Sequence, residues 1–365
     1  MRVFFSGGGT GGHLYPGLAI ARALVARAPE VEPYFIGARR GLEREVLPTT
    51  EFPHTLLELH PLYRTAPLRN WRTLTGGVSS LRTISRLARA SGPACVVGTG
   101  GYAAAAALAW GRWNRVPLVL HECDSFPGKV TKLFAPRATL VSLGFPEAEA
   151  RITPGPRTGV TAFGNPIVPP DSSPETRAAA RQRWRLAPET FTVLIVGGSQ
   201  GSAALNAGVA EWCELGVPDG MTLIWATGRA HYQHHAHLAG DRVRVEPYLS
   251  PIAQAYAVAD VAVTRAGAMT IAELCAWGIP SVLVPLPTAA QDHQAHNART
   301  LAAAGAAIHL PQTEFDGSAL RETLRVLWQQ PAVRDTMARA ARVRGRPDAA
   351  ARIAEAIATL VLQLP

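Results

Sequence analysis

Three times in this sequence a short apolar run breaks into a cluster of glycines and resumes at helical spacing. Val3-Phe4-Phe5 leads into Gly7-Gly8-Gly9-Thr10-Gly11-Gly12. Cys95 to Val97 leads into Gly98-Thr99-Gly100-Gly101-Tyr102, and Thr192 to Val196 into Gly197-Gly198-Ser199-Gln200-Gly201. A strand that turns on glycine into a helix points free backbone amides beyond the strand end, where an anion can approach without meeting a Cβ. The first cluster contains GxGxxG, but His13 stands where a Walker lysine would be needed, so it is an anion cradle and not a P-loop. One dinucleotide site needs a single cradle. A nucleotide donor facing a phosphorylated acceptor uses two or more.

The strands between and after these clusters set the fold class. Pro33 to Ile36, Thr55 to Leu59 and Leu118 to Leu120 read as further strands of the first half, separated by helical patterns such as Leu18 to Ala28 and Leu81 to Ala90. Alternating β and α at this spacing predicts mostly parallel sheets with helices on both faces. From Ile152 to Glu175 the composition turns to Pro, Gly and Ser, which reads as a linker. The alternation then restarts with Leu223 to Trp225, Val243-Arg244-Val245, Val261-Ala262-Val263, Ser281 to Val284 and Ala306 to Leu310. A chain of 365 residues has room for two such bodies. The expected class is α/β, two doubly wound domains facing across a cleft, with an apolar-striped tail helix over 348–364.

Thr264 to Asn297 is the most informative unit of the second half. Gly267 breaks the strand, and Ala268, Ile271, Ala272 and Cys275 recur at helical spacing until Gly278 and Pro280 end the helix. Glu273 falls in its second turn, on the face shared with Thr270 and Trp277. After the next strand come Gln291, Asp292, His293, Gln294 and Asn297. Amides, a carboxylate and an imidazole suit a ligand covered in hydroxyls, such as a sugar or ribose; a solvated loop is the plain alternative.

At the ends of the first-half strands, His13 begins a helix, either as a capping or packing histidine or as a general base that the helix N-terminus keeps neutral. His121-Glu122-Cys123-Asp124 closes another strand at the same edge, and its acids can take hydroxyls or a proton, or merely cap the segment into Pro127-Gly128. His231, His234, His235 and His237 have no nearby acidic or cysteine partners in sequence and read as a solvated helix, not a metal site. There is no DxD motif.

The four cysteines are scattered, as in a reduced, cytosolic protein. Met1-Arg2 leads straight into a strand with no signal-peptide pattern, and no apolar tract approaches the roughly 18 residues a membrane span needs. A formal charge of +9 points to an anionic partner. Between Leu62 and Arg89, Tyr63, Leu68, Trp71 and Leu74 interleave with Arg64, Arg69, Arg72, Arg82, Arg86 and Arg89. That pattern suits an anionic membrane surface or a plain basic surface. No nucleic-acid module is recognisable.

Taken together, GGGTGGHLYPGLA, GTGGY, the HE pair, GNP, GGSQGS with the following LN, RAGAMTIAEL and PLPTAAQDHQAHNA resemble the MurG family nearly end to end. These are UDP-N-acetylglucosamine:N-acetylmuramyl-(pentapeptide) pyrophosphoryl-undecaprenol N-acetylglucosaminyltransferases with the GT-B fold. The resemblance implies a first domain over 1–163, completed by a tail helix over 345–365, that binds lipid I and faces the membrane. It implies a UDP-GlcNAc domain over 164–344. Transfer of GlcNAc to the muramyl 4-hydroxyl would invert the anomeric centre and give lipid II for peptidoglycan, without cofactor or metal, at the cytoplasmic face of the plasma membrane. By the same resemblance the donor contacts fall on Thr10, Gly11, Gly12, Asn165, Ser199, Asn206, Leu249, Glu273, Asp292, His293 and Gln294. The acceptor contacts fall on Gly9, Thr10, Gly100, Gly101, Tyr102 and Glu122, the catalytic roles on His13, Glu122 or Asp124, and membrane contact on Leu68, Trp71 and Arg72.

Two positions depart from the family pattern, Asp124 where Asn is usual and Val168 where Arg is usual. Two rivals stay in view. An NADP-dependent oxidoreductase would use the first GxGxxG with Arg39-Arg40 on a ribose 2′-phosphate, but leaves the second half's polar loop unexplained. A non-catalytic UDP-sugar-binding membrane subunit would not need residues for both substrates.

Overall fold

The computed structural model describes residues 1–60 and 70–363, with side chains for all of these except 70–75. They form two compact units, Met1–Val168 with Asp348–Pro365, and Pro169–Pro347. The first holds β1 (Arg2–Ser6), β2 (Glu32–Ala38), β3 (His54–Leu57), β4 (Cys95–Gly98), β5 (Leu118–Glu122), β6 (Leu140–Leu143) and β7 (Gly159–Thr161). Their order is β3-β2-β1-β4-β5-β6-β7, all parallel. The second holds β8 (Phe191–Val196), β9 (Met221–Ala226), β10 (Val243–Glu246), β11 (Val261–Thr264), β12 (Ser281–Leu283) and β13 (Ala307–His309), in the parallel order β10-β9-β8-β11-β12-β13.

Sheets covered by helices on both faces need strands that are apolar throughout. Side chains alternate across β1, so Phe4 joins one core with Val96 and Leu120 while Val3 and Phe5 join another with Val97 and Val119. In the second unit Val193 and Ile195 face one core, Leu194 the other. The helix Ala349–Leu362 buries Ile353, Ala354, Ile357 and Val361 in the first unit's core beside Leu14, Leu18 and Leu24 of the helix Gly11–Arg27.

Each sheet reverses direction once, at β1/β4 and at β8/β11. Loops leaving the two strands at such a point diverge and open a crevice. Ser6 pairs with Gly98 and Val196 with Thr264, so the first two glycine clusters lie side by side, and the third lies beside Arg265-Ala266-Gly267.

The stretch read as a linker is shorter than its composition suggested. Gly159–Thr161 is the edge strand β7, and Ser173 caps the helix Pro174–Trp184 by accepting from the Thr176 amide at 3.2 Å. An edge strand pairs on one side only, so it tolerates the Pro and Gly that hide it in the sequence. Strand β6, only four residues long, was also missed. Of the residues expected at a membrane, Leu68 lies outside the described residues. Trp71 and Arg72 fall on the helix Asn70–Ser91 with their side chains outside them.

Candidate active site

The first reversal point is built from backbone. A Cβ on Gly101 (φ 72°) would fall 2.1 Å from the Gly8 carbonyl oxygen, so only glycine lets the two turns touch. There the Gly8 amide donates to the Gly100 carbonyl at 3.3 Å. Buried Glu43 holds the first turn from below, its Oε2 accepting from the Gly9 amide at 3.0 Å and its Oε1 from the Ala38 amide at 3.2 Å. The His13 ring lies on the Gly100–Gly101 backbone, since Cβ atoms added there would sit 2.8 Å from its Nδ1 and 3.1 Å from its Cδ2. The Thr99 hydroxyl donates to the His13 carbonyl at 2.6 Å. Tyr102 covers Gly9, while Thr10 and Gly12 are exposed and Gly11 partly so.

Strand β5 brings His121 and Glu122 to the same edge. The Asn165 amide nitrogen donates to the Cys123 carbonyl at 3.0 Å, which turns its oxygen toward His121 Nε2 at 3.2 Å. That network assigns the proton to Nε2 and leaves Nδ1 to accept from the Ser142 hydroxyl at 3.2 Å. Burial pushes the His121 pKa down to about 4, so the ring is neutral. Glu122 Oε1 accepts from the Asp124 amide at 3.1 Å, and Oε2 accepts from the Gly128 amide at 2.9 Å and the Thr131 hydroxyl at 2.5 Å. Burial first, then the charge of Asp124, raises its pKa to about 7 against these bonds. Glu122 therefore organises the loop that follows it. Asp124 and His13 are the partly exposed titratable groups here.

At the second reversal point Gly198 and Gly201 have φ of 93° and 76°, and a Cβ on Gly201 would meet the Thr227 carbonyl oxygen at 2.2 Å. Ser199 is exposed on this turn, and Ser202 caps the helix Ala203–Leu215. Beneath it lies Arg265, which is buried. Its guanidinium donates to the Val284 and Pro285 carbonyls at 3.1 and 3.0 Å, to Ser202 Oγ at 2.7 Å and to Gln312 Oε1 at 2.6 Å. All four oxygens are neutral. Desolvation lowers its pKa, yet a guanidinium keeps its charge in proteins.

The helix Ala268–Trp277 carries Glu273 half-buried, with Oε2 accepting from the Tyr256 hydroxyl at 2.8 Å. Burial raises the Glu273 pKa and the tyrosine bond opposes that rise. The Leu249 side chain packs in the core. Farther along, Gln291 and Asp292 both adopt left-handed backbone, φ 57° and 55°. Asp292 accepts from Arg299 at 3.2 Å, and His293 Nδ1 lies 3.0 Å from the Ala290 carbonyl. Gln294 Oε1 accepts from the Leu286 amide at 2.9 Å, and Asn297 Nδ2 donates to the Ala266 carbonyl at 3.2 Å. Asn297 thus ties this loop to the turn after β11.

Comparison with known proteins decides the family. Residues 3–142 match the glycosyltransferase family 28 N-terminal domain and residues 192–353 its C-terminal domain. The chain is 38% identical, over 99% of both proteins, to the "UDP-N-acetylglucosamine--N-acetylmuramyl-(pentapeptide) pyrophosphoryl-undecaprenol N-acetylglucosamine transferase" of Chlorobaculum parvum. It is 36% identical, over 98% of both, to the protein of that name from Moorella thermoacetica. The crystal structure of Acinetobacter baumannii MurG superposes with a TM-score of 0.76 at 27% identity, covering 98% of this chain and 99% of that one. The chain belongs to the MurG family.

Against the assignments the MurG resemblance implied, Gly9, Thr10, His13, Gly100, Gly101 and Tyr102 gather at the first reversal point. Ser199 and Glu273 flank the second. Glu122 and two asparagines among the assigned residues face inward, as does the Leu249 side chain. Asn165 lies in the first unit with its amide between Cys123 and His121. Asn206 is buried, its Nδ2 donating to the Thr227 carbonyl at 2.9 Å and its Oδ1 accepting from the Trp225 indole at 3.0 Å. Val168 is 83% exposed. Arg39, offered for a 2′-phosphate, bonds the Leu56 carbonyl and pairs with Glu58. His235 packs on the Trp225 ring at 5.0 Å. Sequence reasoning missed Glu43, Arg265 and Tyr256. Only Arg265 carried a signal, a charge directly after a buried strand.

Proposed function

We propose that this MurG-family chain moves GlcNAc from UDP-GlcNAc to the 4-hydroxyl of the muramyl sugar of lipid I, with inversion, giving lipid II for peptidoglycan. The observation that carries the donor side is Arg265. A buried cation bonded only to neutral oxygens is costly unless an anion completes it, and the donor diphosphate on the Ser199 turn is that anion. Amides at the start of the helix Ala203–Leu215 add to the charge stabilisation as UDP departs. Glu273 takes the ribose hydroxyls, the Leu249 backbone the uracil, and Asp292, His293 and Gln294 the sugar. Asn206 serves by holding the turn, since its own amide is engaged within the fold.

The acceptor belongs to the first reversal point, with its diphosphate on the glycine turns beside Tyr102. Its 4-hydroxyl gives up a proton to His13 or Asp124, while Glu122 shapes the loop. Incubation with radiolabelled UDP-GlcNAc and a lipid I analogue should yield a labelled disaccharide lipid. Hydrolysis of the donor alone, or no turnover, would remove this reading.

We further infer that the first unit docks on the anionic cytoplasmic face of the plasma membrane. Arg82, Arg86 and Arg89 are exposed along one helix whose Ile84 and Ala88 are buried, and Trp113 is 67% exposed between Arg112 and Arg115. No helix among the described residues is long and apolar enough to cross a membrane. Replacing the three helix arginines by alanine should weaken sedimentation with acidic vesicles, and wild-type binding should fall with salt. Equal binding to neutral vesicles would count against it.

A further inference from the structure

Glu273 is held by a residue that no motif announced. A glutamate on a helix has three rotatable bonds, and a ligand that needs it in one position must offset the freedom lost. Here that freedom is already restricted. The Tyr256 hydroxyl donates to Oε2 at 2.8 Å, and Tyr256 is itself only 4% exposed, at the end of the helix Ala253–Tyr256. It belongs to the same apolar core as Leu249, Leu274 and Ile279, and the Trp277 ring lies 6.1 Å from its own. The bond occupies one carboxylate oxygen and leaves Oε1 for a ligand. A carboxylate so fixed suits two adjacent hydroxyls, which approach together and at a set angle.

The geometry points to Tyr256 as a positioning residue that aims Glu273 at the vicinal diol of the donor's ribose and sets the preference for ribonucleotide over deoxyribonucleotide. This rests on the reading of Glu273 as the ribose contact. Tyr256 touches no substrate in this scheme; it acts through the carboxylate. Its loss therefore leaves binding of a donor without the diol unchanged, which general damage to the domain would not.

The test is calorimetric titration of the full chain with UDP and with 2′,3′-dideoxy-UDP, in wild type, Tyr256→Phe, Glu273→Ala and the double variant. Tyr256→Phe keeps the ring and removes one oxygen, so the packing is retained. UDP should bind roughly tenfold more weakly to Tyr256→Phe, the scale of one hydrogen bond to a charged group. Dideoxy-UDP should bind all four proteins alike, and the double variant should equal Glu273→Ala. In turnover, donor KM should rise with kcat nearly kept. If Glu273→Ala loses the discrimination while Tyr256→Phe keeps it, Tyr256 is core packing alone and the proposal falls while the ribose reading stands. If both variants discriminate like wild type, the ribose reading fails and the proposal with it. Equal weakening toward both nucleotides in Tyr256→Phe also overturns it.

Discussion

His121 and Glu122 are neighbours in one strand, and burial drives their protonation in opposite directions. His121, moved from 6.5 to about 4, refuses a proton the unfolded chain would bind. Its contribution to stability is present above pH 6.5 and is lost as pH falls toward 4. Glu122, moved from 4.5 to about 7, keeps a proton the unfolded chain would release. Its contribution is present below pH 4.5 and is lost as pH rises through 7. Each amounts to on the order of 3 kcal/mol, so the two nearly cancel across the shared window. Glu122→Gln removes one arm. The Tm of the variant relative to wild type should climb between pH 4.5 and 7, as scanning calorimetry would read; a constant difference would mean Glu122 is ionised throughout. Asp124→Asn withdraws the charge that helps raise Glu122 and restores the family's usual residue. With His13 as the base, loss of this negative charge should shift the acid limb of the kcat/KM profile downward with UDP affinity kept. Loss of most of the turnover would instead make Asp124 itself the base. Superimposable profiles would leave Asp124 a loop residue only. At this scale the sequence made placement legible. Glu273 stands on the helix that follows β11, as its spacing predicted, and Asp292 to Gln294 open the helix His293–Ala303 after β12. Glu43 and Tyr256 were illegible, because their partners are backbone amides and a carboxylate brought near by folding.

The elements carry a different lesson. Central strands such as β1 and β8 are continuous apolar runs and were read from the sequence to within a residue or two. Strands β6 and β7 were not: β7 because an edge makes weak demands on composition, and β6 because an internal strand of only four residues leaves too short an apolar run to stand out. The glycine turns were legible as turns, but what each glycine touches was not. Gly201→Ala would put a Cβ 2.2 Å from the Thr227 carbonyl at a φ of 76°. The variant should lose more than about 1 kcal/mol of stability and most of its UDP affinity, measurable by denaturant titration and calorimetry. In Gly12→Ala the new Cβ meets nothing nearer than the Thr10 hydroxyl at 4.0 Å, inside a helix. That variant should keep or slightly raise the first unit's Tm. Equal losses in the two would mean that neither turn is held by the contacts described.

On the scale of the whole molecule, alternation alone implied two parallel sheets. It did not say which loops would be neighbours. That follows from where each sheet reverses, at β1/β4 and β8/β11, and strand order is a property of long-range pairing that local pattern does not encode. The helix Ala349–Leu362 was legible as one more apolar stripe, and its place in the first unit's core is equally a matter of long-range packing. Deleting residues 348–365 should uncover Leu14, Leu18 and Leu24 and lower the first unit's Tm far more than the second's. Two transitions shifting together would refute this division. The same helix reverses the order of assembly in the cell. A chain leaves the ribosome N-terminus first, and domains close as their residues emerge. Pro169–Pro347 is contiguous and can close while translation continues. The strands of the first unit are made before it, yet the helix that seals their core is synthesised only after the whole of it. The half of the protein that is begun first is finished last, and throughout that delay its open apolar seam is a surface for chaperones to guard.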